Sequence, residues 1–528
     1  MNFKLKTSTL AIGLALSGTL AAGPNPNSNG IGPGFDSDEA AMITGLAGYE
    51  AEPAWTVGET VGGFQAPGIP DGMGMIVLDE QRVRLFVNHE LNDNTGYTYQ
   101  LANGTELTGA RVSYLDFHRQ SRKLLGSGPA YDTVIDRYGN VVTDAAQINE
   151  GAGGPTDGFD RFCSAWMGLA GQYGLVDDIF FTGEETGDGQ EFAVDARNGV
   201  IYAVPALGRA AFESVTMVDH PDPNKVAVLI GDDRAPAPLL MFVGTKNYFG
   251  DGSFLDRNGL ASGQGSLYVW VADDGSVDPR GFAGTGSALS GNWVEIPHYD
   301  PAMAGMPGYD AQGYADQGTQ DLLASAAGAF MFSRPEDIST NPANGSQVVL
   351  ASTGRQGLFD NEDLWGDTYV IDVDLSGMTA DINLVYDGDD AGGQFPHPDY
   401  GLRSPDNLVW AGNGMIYLQE DRAISSFIYG QTSGEESSIW RLDPLTSEIT
   451  RVGQIDRSAV PDGQTDGDPD DLGDWESSGI IDVTDFFRTS AKERLYLANV
   501  QAHSIRDGVI AVENLVQGGQ VFFLSVKE

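Results

Sequence analysis

The chain has one cysteine, Cys163, and so can form no disulfide within itself. In an oxidising compartment a lone thiol must be buried, pair with another chain, or bind something. Basic residues are also scarce: 29 Lys and Arg stand against 75 Asp and Glu, a formal net charge of −46. Such a surface repels nucleic acid and anionic membranes, which argues against both as partners. Only six histidines occur (His89, His118, His220, His298, His397 and His503), none at the close spacing of a compact zinc site. HExxH, P-loop, GxSxG and CxxC patterns are absent, as is an Asp-Ser-Ala nucleophile motif. Catalysis, if the chain performs any, is left to carboxylates, Arg or Lys, and the cysteine. After residue 22 no stretch approaches the roughly 20 apolar residues that span a bilayer.

At the N-terminus, Lys4 and Lys6 precede the apolar stretch Leu10 to Leu20 and the small residues Ala21 and Ala22. This is the pattern of a Sec-type signal peptide over residues 1–22, with a periplasmic or extracellular destination. Residues 23–40, rich at their start in Gly, Pro and Asn, read as a flexible leader. Surface acidity keeps a protein soluble and explains most of the carboxylates. It does not explain those set beside Pro, Gly and aromatic residues at strand ends.

The 70 glycines are spread evenly, and no linker separates compositional blocks. Short β-type runs recur between turn residues from Met73 onward, among them Arg84 to Val87, Asp178 to Phe181, Lys225 to Ile230, Gln347 to Ala351 and Val521 to Leu524. One helix is expected, over Thr319 to Met331. A degenerate unit, a turn followed by Ile/Leu-Tyr, recurs at Asn198 to Tyr202, Gly265 to Tyr268 and Asn413 to Tyr417. Repeated short-strand units over this length predict an all-β fold, a six-bladed β-propeller forming a single domain over residues 41–528, with a few short helices in loops. A tandem of β-sandwiches is the alternative.

The carboxylates at strand ends are the candidate site residues. Asn88-His89-Glu90 follows one strand, and Glu184-Glu185 ends another. Glu213, Asp232 in Gly231-Asp232-Asp233, Glu336 in Arg334-Pro335-Glu336-Asp337, Asp406 in Pro405-Asp406-Asn407, Glu420 and Glu476 follow in order. Strand ends on one rim of a propeller converge on the central channel, where acids from different blades would repel one another without cations. One soft sulfur ligand among many oxygens suits a transition metal at Cys163 and calcium at the carboxylates. The plainer readings are solvated turn acids and a cysteine that is a small buried hydrophobe. Arg334 is suited to clamp a phosphate or carboxylate, or else forms a structural ion pair. The acid-rich stretches Asp462 to Asp474 and Asp387 to Asp390 lack EF-hand spacing and read as solvated loops.

Taken together, Arg334-Pro335-Glu336-Asp337-Ile338, Pro405-Asp406-Asn407-Leu408 with Asn413 to Tyr417, Asn88-His89-Glu90, Leu207-Gly208-Arg209 leading to Glu213, Gly231-Asp232-Asp233, and Cys163 leading to Glu184-Glu185 resemble the PhoX-type alkaline phosphatases. The resemblance runs from about Gly72 to Thr484. It implies a secreted six-bladed propeller, a metal-dependent phosphoric monoester hydrolase serving phosphate acquisition. Its cofactors would be ferric iron and several calcium ions, with calcium alone as the alternative, and its partners small phosphate esters bound by a monomer. Cys163, Glu213 and Glu476 would then lie on the iron side, and Glu185, Glu336, Asp406 and Glu420 would hold or bridge calcium. Arg334 would hold the phosphate oxygens; Glu90, Glu184 and Asp232 rank below these. The chain departs from the family at two points: no arginine pair marks the signal, and Ser164-Ala165-Trp166-Met167 replaces a small Ala-Gly-Gly stretch after the cysteine. The rival expectations are a phytase-like propeller using calcium alone and a calcium-stabilised propeller that binds without catalysing.

Overall fold

Six strands lie side by side around a central channel: Pro70–Val77, Phe162–Gly168, Phe212–Val218, Pro335–Thr340, Pro405–Trp410 and Trp475–Asp482. Each touches the next, and the last touches the first, so the ring is closed. Each is also the innermost strand of an antiparallel sheet that runs outward as one blade of a six-bladed β-propeller. The computed structural model describes residues 34–148, 156–247 and 252–527. The expected signal peptide lies outside them.

Blade 1 continues through Arg82–His89, Arg111–His118 and Leu124–Pro129, and blade 2 through Ile179–Glu184, Glu191–Asp195 and Val200–Ala203. Blade 3 runs through Lys225–Asp232, Leu240–Thr245 and Gly265–Ala272, and blade 4 through Gln347–Ser352, Asp367–Asp374 and Thr379–Asp387. An additional strand, Ala288–Ile296, bridges the outer edges of blades 3 and 4 and fuses them into one sheet. Blades 5 and 6 add Ile416–Glu420, Ser438–Leu442 and Ile449–Ile455, then Glu493–Ala502 and Gly518–Lys527. Residues from the start of the chain complete both: Ile43–Gly45 pairs with the outer strand of blade 5 and Glu50–Thr56 with that of blade 6. Joining the two ends of the chain in this way leaves the ring without an open seam.

Strand composition explains the packing. Alternating Val, Ile, Leu and aromatic residues face the neighbouring blades, as Trp270 and Phe332 do between blades 3 and 4, and Tyr417 and Tyr496 between blades 5 and 6. The inner strands approach so closely that a side chain is excluded at some points. A Cβ on Gly72 would lie 2.3 Å from the backbone of Ser164 and Ala165 in blade 2.

Three expectations shift. The helix spans Gln317–Ala327, because Asp316 caps its first turn and Gly328, at φ 81°, ends it; Ala329 to Met331 leave the helix and pack back on blade 3. The Ile/Leu-Tyr unit does not mark equivalent strands: it falls on the outer strand of blade 2, the fourth strand of blade 3 and the second strand of blade 5. The last part of the leader is fastened, since Phe35 exchanges two backbone hydrogen bonds with Leu124 on blade 1. No helix among the described residues is long and apolar enough to cross a membrane.

Candidate metal centre and active site

The repeat that builds the site sits at the start of each inner strand. In blades 1 to 5 the pairing of the first and second strands is interrupted by a bulge just after the first residue. The sequences there are Pro70-Asp71-Gly72, Phe162-Cys163-Ser164, Phe212-Glu213-Ser214, Pro335-Glu336-Asp337 and Pro405-Asp406-Asn407. Blade 6 offers Trp475-Glu476-Ser477, with its bulge two residues later. A bulge re-aims the side chain it displaces. Here the displaced position carries one group able to bind metal in each of the first five blades, Asp71, Cys163, Glu213, Glu336 and Asp406, and the in-register Glu476 stands at the same place in blade 6; all six are buried.

The residue just past the end of each second strand supplies a further set. His89, Glu184, Asp232, Ser352, Glu420 and Ala502 pair with the first residues of the inner strands. The residues that follow them are Glu90, Glu185, Asp233, Thr353, Asp421 and His503. The two sets meet. Single ligand atoms of Asp71, Glu90 and Cys163 lie within 4.8 Å of one another, as do those of Cys163, Glu185 and Glu213, so Cys163 joins two groups. Glu213 feels the charges of Glu185, Glu336 and Asp71, while Asp406 feels those of Glu213, Glu476 and Asp421.

Two guanidiniums enter this cluster. Arg161 Nη2 bridges Glu90 at 2.7 Å and Glu185 at 2.5 Å. Arg334 donates Nε and Nη2 to Asp233, at 2.5 and 2.8 Å, and Nη2 also lies 2.8 Å from Glu336. His503 Nε2 is 3.5 Å from Glu476, and its Nδ1 faces Gln517 at 2.6 Å. Beneath them Asp71 accepts from Cys163 Sγ at 3.1 Å, Gln501 at 2.9 Å, Ser478 at 2.8 Å and Asn407 at 3.3 Å. Asp337 accepts from the backbone of Ile338 and of Leu408, each at 2.7 Å, tying blade 4 to blade 5 below the cluster.

Burial pushes Asp71, Glu185, Glu213, Glu336, Asp406, Asp421 and Glu476 toward their neutral forms, and neighbouring carboxylates add to it. Burial and then the Glu90 charge bring Asp71 up to about 7. Burial with carboxylate repulsion drives Glu213, Asp406 and Glu476 well above the usual range, and burial dominates for Glu185 and Glu336 despite the arginines beside them. The Cys163 thiol is likewise pushed up, by burial first and Asp71 second. Asp233 is the exception: Arg334 outweighs its burial and holds it below the ordinary carboxylate range. Glu213 Oε1 and Asp406 Oδ1 are buried without a hydrogen-bond partner. A dense set of buried acids with unspent oxygens around one thiol calls for cations.

Several sequence candidates lie elsewhere. Glu420 does not reach the cluster; it accepts from Arg403 Nη2 at 2.8 Å, Trp440 Nε1 at 2.9 Å and Tyr429 Oη at 3.0 Å, a buried structural network. Asp232 is occupied by Arg234, whose Nε and Nη2 donate at 2.9 and 2.7 Å, and by the Ala211 amide. Glu184 accepts from the Asp160 amide at 3.2 Å. In each of the three the strand-end residue is held in the ladder, and its successor turns into the channel. Asp71 and Arg161 escaped the sequence reading, and within Asp232-Asp233 and Glu420-Asp421 it singled out the first acid of each pair. For Asp71 a signal existed, since Pro70-Asp71-Gly72 repeats the form of Pro405-Asp406-Asn407. At the opposite end of the channel a cavity of about 400 Å³, lined by Met73, Met75, Trp166 and Trp410, contains none of the clustered ligands.

Fold and site together define a β-propeller whose channel is closed at one end by an anionic, cation-demanding cluster. The model of the family described as alkaline phosphatase PhoX matches residues 136–461, and the chain belongs to that family, enzymes of phosphoester hydrolysis. The structure of Pseudomonas fluorescens PhoX in complex with vanadate, a transition state analogue, is similar over 94% of this chain and 98% of that one, with a TM-score of 0.62 at 19% identity. Weaker likenesses are to Saccharomyces cerevisiae Sqt1 (TM-score 0.29, 8% identity, 90% of this chain and 97% of that one) and to the WD40 domain of SCAP from fission yeast (TM-score 0.30, 8% identity, 91% and 98%). No curated protein matches the sequence.

Proposed function

We propose that the chain is an exported alkaline phosphatase that hydrolyses small phosphomonoesters with a cluster of ferric iron and calcium. The observation that carries this reading is the convergence of Cys163 with acids of blades 1 to 3, whose Glu213 in turn feels Glu336, Asp406 and Glu476 of blades 4 to 6. The donor set fits these metals: Cys163 is the one soft ligand, suited to iron, and the oxygens of Asp71, Glu90, Glu185, Glu213, Glu336, Asp406, Asp421 and Glu476 suit calcium and the hard side of iron. Bound cations would neutralise the phosphoryl oxygens and supply an activated oxygen nucleophile. The vanadate bound by the Pseudomonas fluorescens protein supports a phosphate-shaped ligand for this one. Residues 1–22 support export.

The chain's own groups bind and orient. Arg334 is the phosphate clamp: Nε and Nη2 are engaged by Asp233, and Nη1 makes no hydrogen bond among the described residues, so it remains for an incoming oxygen. Asp233 fixes the plane of the guanidinium, and Arg161 does the same for Glu90 and Glu185 on the facing side. Preset charge of this kind suits phosphoryl transfer, in which positioning supplies most of the catalysis.

The test is hydrolysis of p-nitrophenyl phosphate at alkaline pH by the mature chain, with calcium, with chelator, and as Arg334→Ala. Turnover that needs calcium and is lost in the variant supports the proposal. A protein inactive in every metal condition, yet stabilised by calcium, would be a binding propeller instead.

A further inference from the structure

Arg161 stands just ahead of the inner strand of blade 2, and its backbone is pinned from both sides. Its amide donates to the Leu91 carbonyl at 2.8 Å, and its own carbonyl accepts from the Glu185 amide at 2.9 Å. Leu91 follows Glu90, so the backbone of Arg161 is tied to both segments whose acids its side chain bridges. Held in this way it takes φ 46°, a conformation costly for a residue with a Cβ, which persists where the surroundings impose it and is common at functional sites.

The guanidinium is only partly engaged. Both ion pairs are made by Nη2, to Glu90 at 2.7 Å and to Glu185 at 2.5 Å, while Nε and Nη1 make no hydrogen bond among the described residues. The side chain is 40% exposed, against 9% for each acid it bridges and 16% for Arg334. A structural ion pair accounts for Nη2 and leaves the open Nε and Nη1 unexplained.

The two arginines belong to one network. Glu185, held by Arg161, shares a hydrogen bond with Asp233, held by Arg334. An ester whose phosphoryl oxygens reach Arg334 must project its alcohol away from the floor of the channel, which Asp71, Asn407, Ser478 and Gln501 fill with mutual hydrogen bonds. The open direction is the side on which Arg161 is exposed. The rim there is otherwise acidic: Asp160 feels the charges of Asp93 and Glu90 as well as that of Arg161. A second, dianionic phosphate on the alcohol would meet these acids, whereas a single carboxylate can be matched by one guanidinium.

We infer that Arg161 binds the alcohol part of the substrate and selects phosphomonoesters whose alcohol bears a carboxylate. The inference rests on the phosphatase reading, and it makes Arg161 a specificity residue beside the phosphate clamp Arg334.

The test compares p-carboxyphenyl phosphate with its carboxyl methyl ester, which differ by one charge at the far end of the ring, in the metal-loaded parent, Arg161→Gln and Arg161→Lys. Within each protein the ratio of kcat/KM for the two compounds does not depend on how much of the sample is folded or loaded. The parent is expected to favour the free carboxylate by about tenfold, the worth of one charge-assisted hydrogen bond. Arg161→Gln should favour the methyl ester, because Asp93 and Asp160 then repel the carboxylate unopposed. Arg161→Lys keeps a charge between Glu90 and Glu185, so it decides the matter if Arg161→Gln does not fold, and it should retain only part of the preference. Calorimetric binding of p-carboxybenzylphosphonate and its carboxyl methyl ester should follow the same order without turnover. The same ratio in parent and variants, from a protein that hydrolyses both compounds, would overturn the role of Arg161 and leave the phosphatase reading standing. A parent that neither hydrolyses the esters nor binds the phosphonates would overturn both.

Discussion

Arg334 of blade 4 and Asp233 of blade 3 are joined by two parallel hydrogen bonds, Nε to Oδ1 at 2.5 Å and Nη2 to Oδ2 at 2.8 Å. Against the cost of burial, Asp233 and Glu336 hold Arg334 protonated, and Arg334 holds Asp233 ionised. The guanidinium is thus oriented before any anion arrives. Arg334→Ala is expected to lower kcat/KM for p-nitrophenyl phosphate by about 10²–10³, the usual cost of removing one preorganised donor to developing charge. Asp233→Asn leaves the guanidinium present but loosely held, so it should raise KM more than it lowers kcat. Steady-state kinetics of both variants check this; equal activity in Arg334→Ala and parent would remove Arg334 from the site.

Cys163 is the one soft donor group of the cluster, and its thiol donates to Asp71 at 3.1 Å. Metal binding requires loss of that proton, which burial and then the Asp71 charge resist. A ferric thiolate would give the loaded protein visible colour. Cys163→Ser is expected to lose the absorbance and the iron while retaining most of its calcium, as read by visible spectroscopy and metal analysis. A colourless parent would favour calcium alone.

Glu420 and Asp421 are neighbours with opposite roles. Glu420 is fully buried against Arg403, and breaking such a pair costs about 3–5 kcal/mol because the arginine is left uncompensated. Glu420→Gln is therefore expected to lower stability by that order, measured by chemical denaturation, with little change in the activity of the folded fraction. Asp421→Asn should do the reverse, reducing metal content and turnover at near-normal stability.

The same pair shows how far the sequence could be read. Strand runs, acidic ends and the five channel residues Cys163, Glu213, Glu336, Asp406 and Glu476 stand out because Pro or an aromatic residue precedes each and a small or polar residue follows. Which of two adjacent acids turns inward was not legible. In Asp232-Asp233 and Glu420-Asp421 the choice depends on where the ladder ends, and that register is fixed by a bulge in the partner strand, between Phe212 and Val215 in one case and between Pro405 and Leu408 in the other, which only strand pairing reveals. Arg161 was hidden for a different reason: it precedes its strand, at φ 46°, and its role exists only once Glu90 and Glu185 are brought beside it.

Removing the metals should reverse the usual response of a protein to acid. Without cations the buried acids are most stable when protonated. Asp71 has a folded pKa of about 7 against a reference of 3.8, and burial raises Glu213, Asp406 and Glu476 in the same direction. In the window between these values the folded state binds more protons than the unfolded chain, so stability falls as pH rises. For Asp71 the contribution is fully present below about 4 and is lost as pH climbs through about 7. Chelated protein is therefore expected to unfold at progressively lower temperature from pH 5 to pH 8, whereas calcium-loaded protein should hold or gain stability over that range, because metal competes with protons for the same oxygens. Thermal unfolding followed by circular dichroism in matched buffers reads both curves. Parallel curves would mean that the channel acids are neutralised by something other than bound cations.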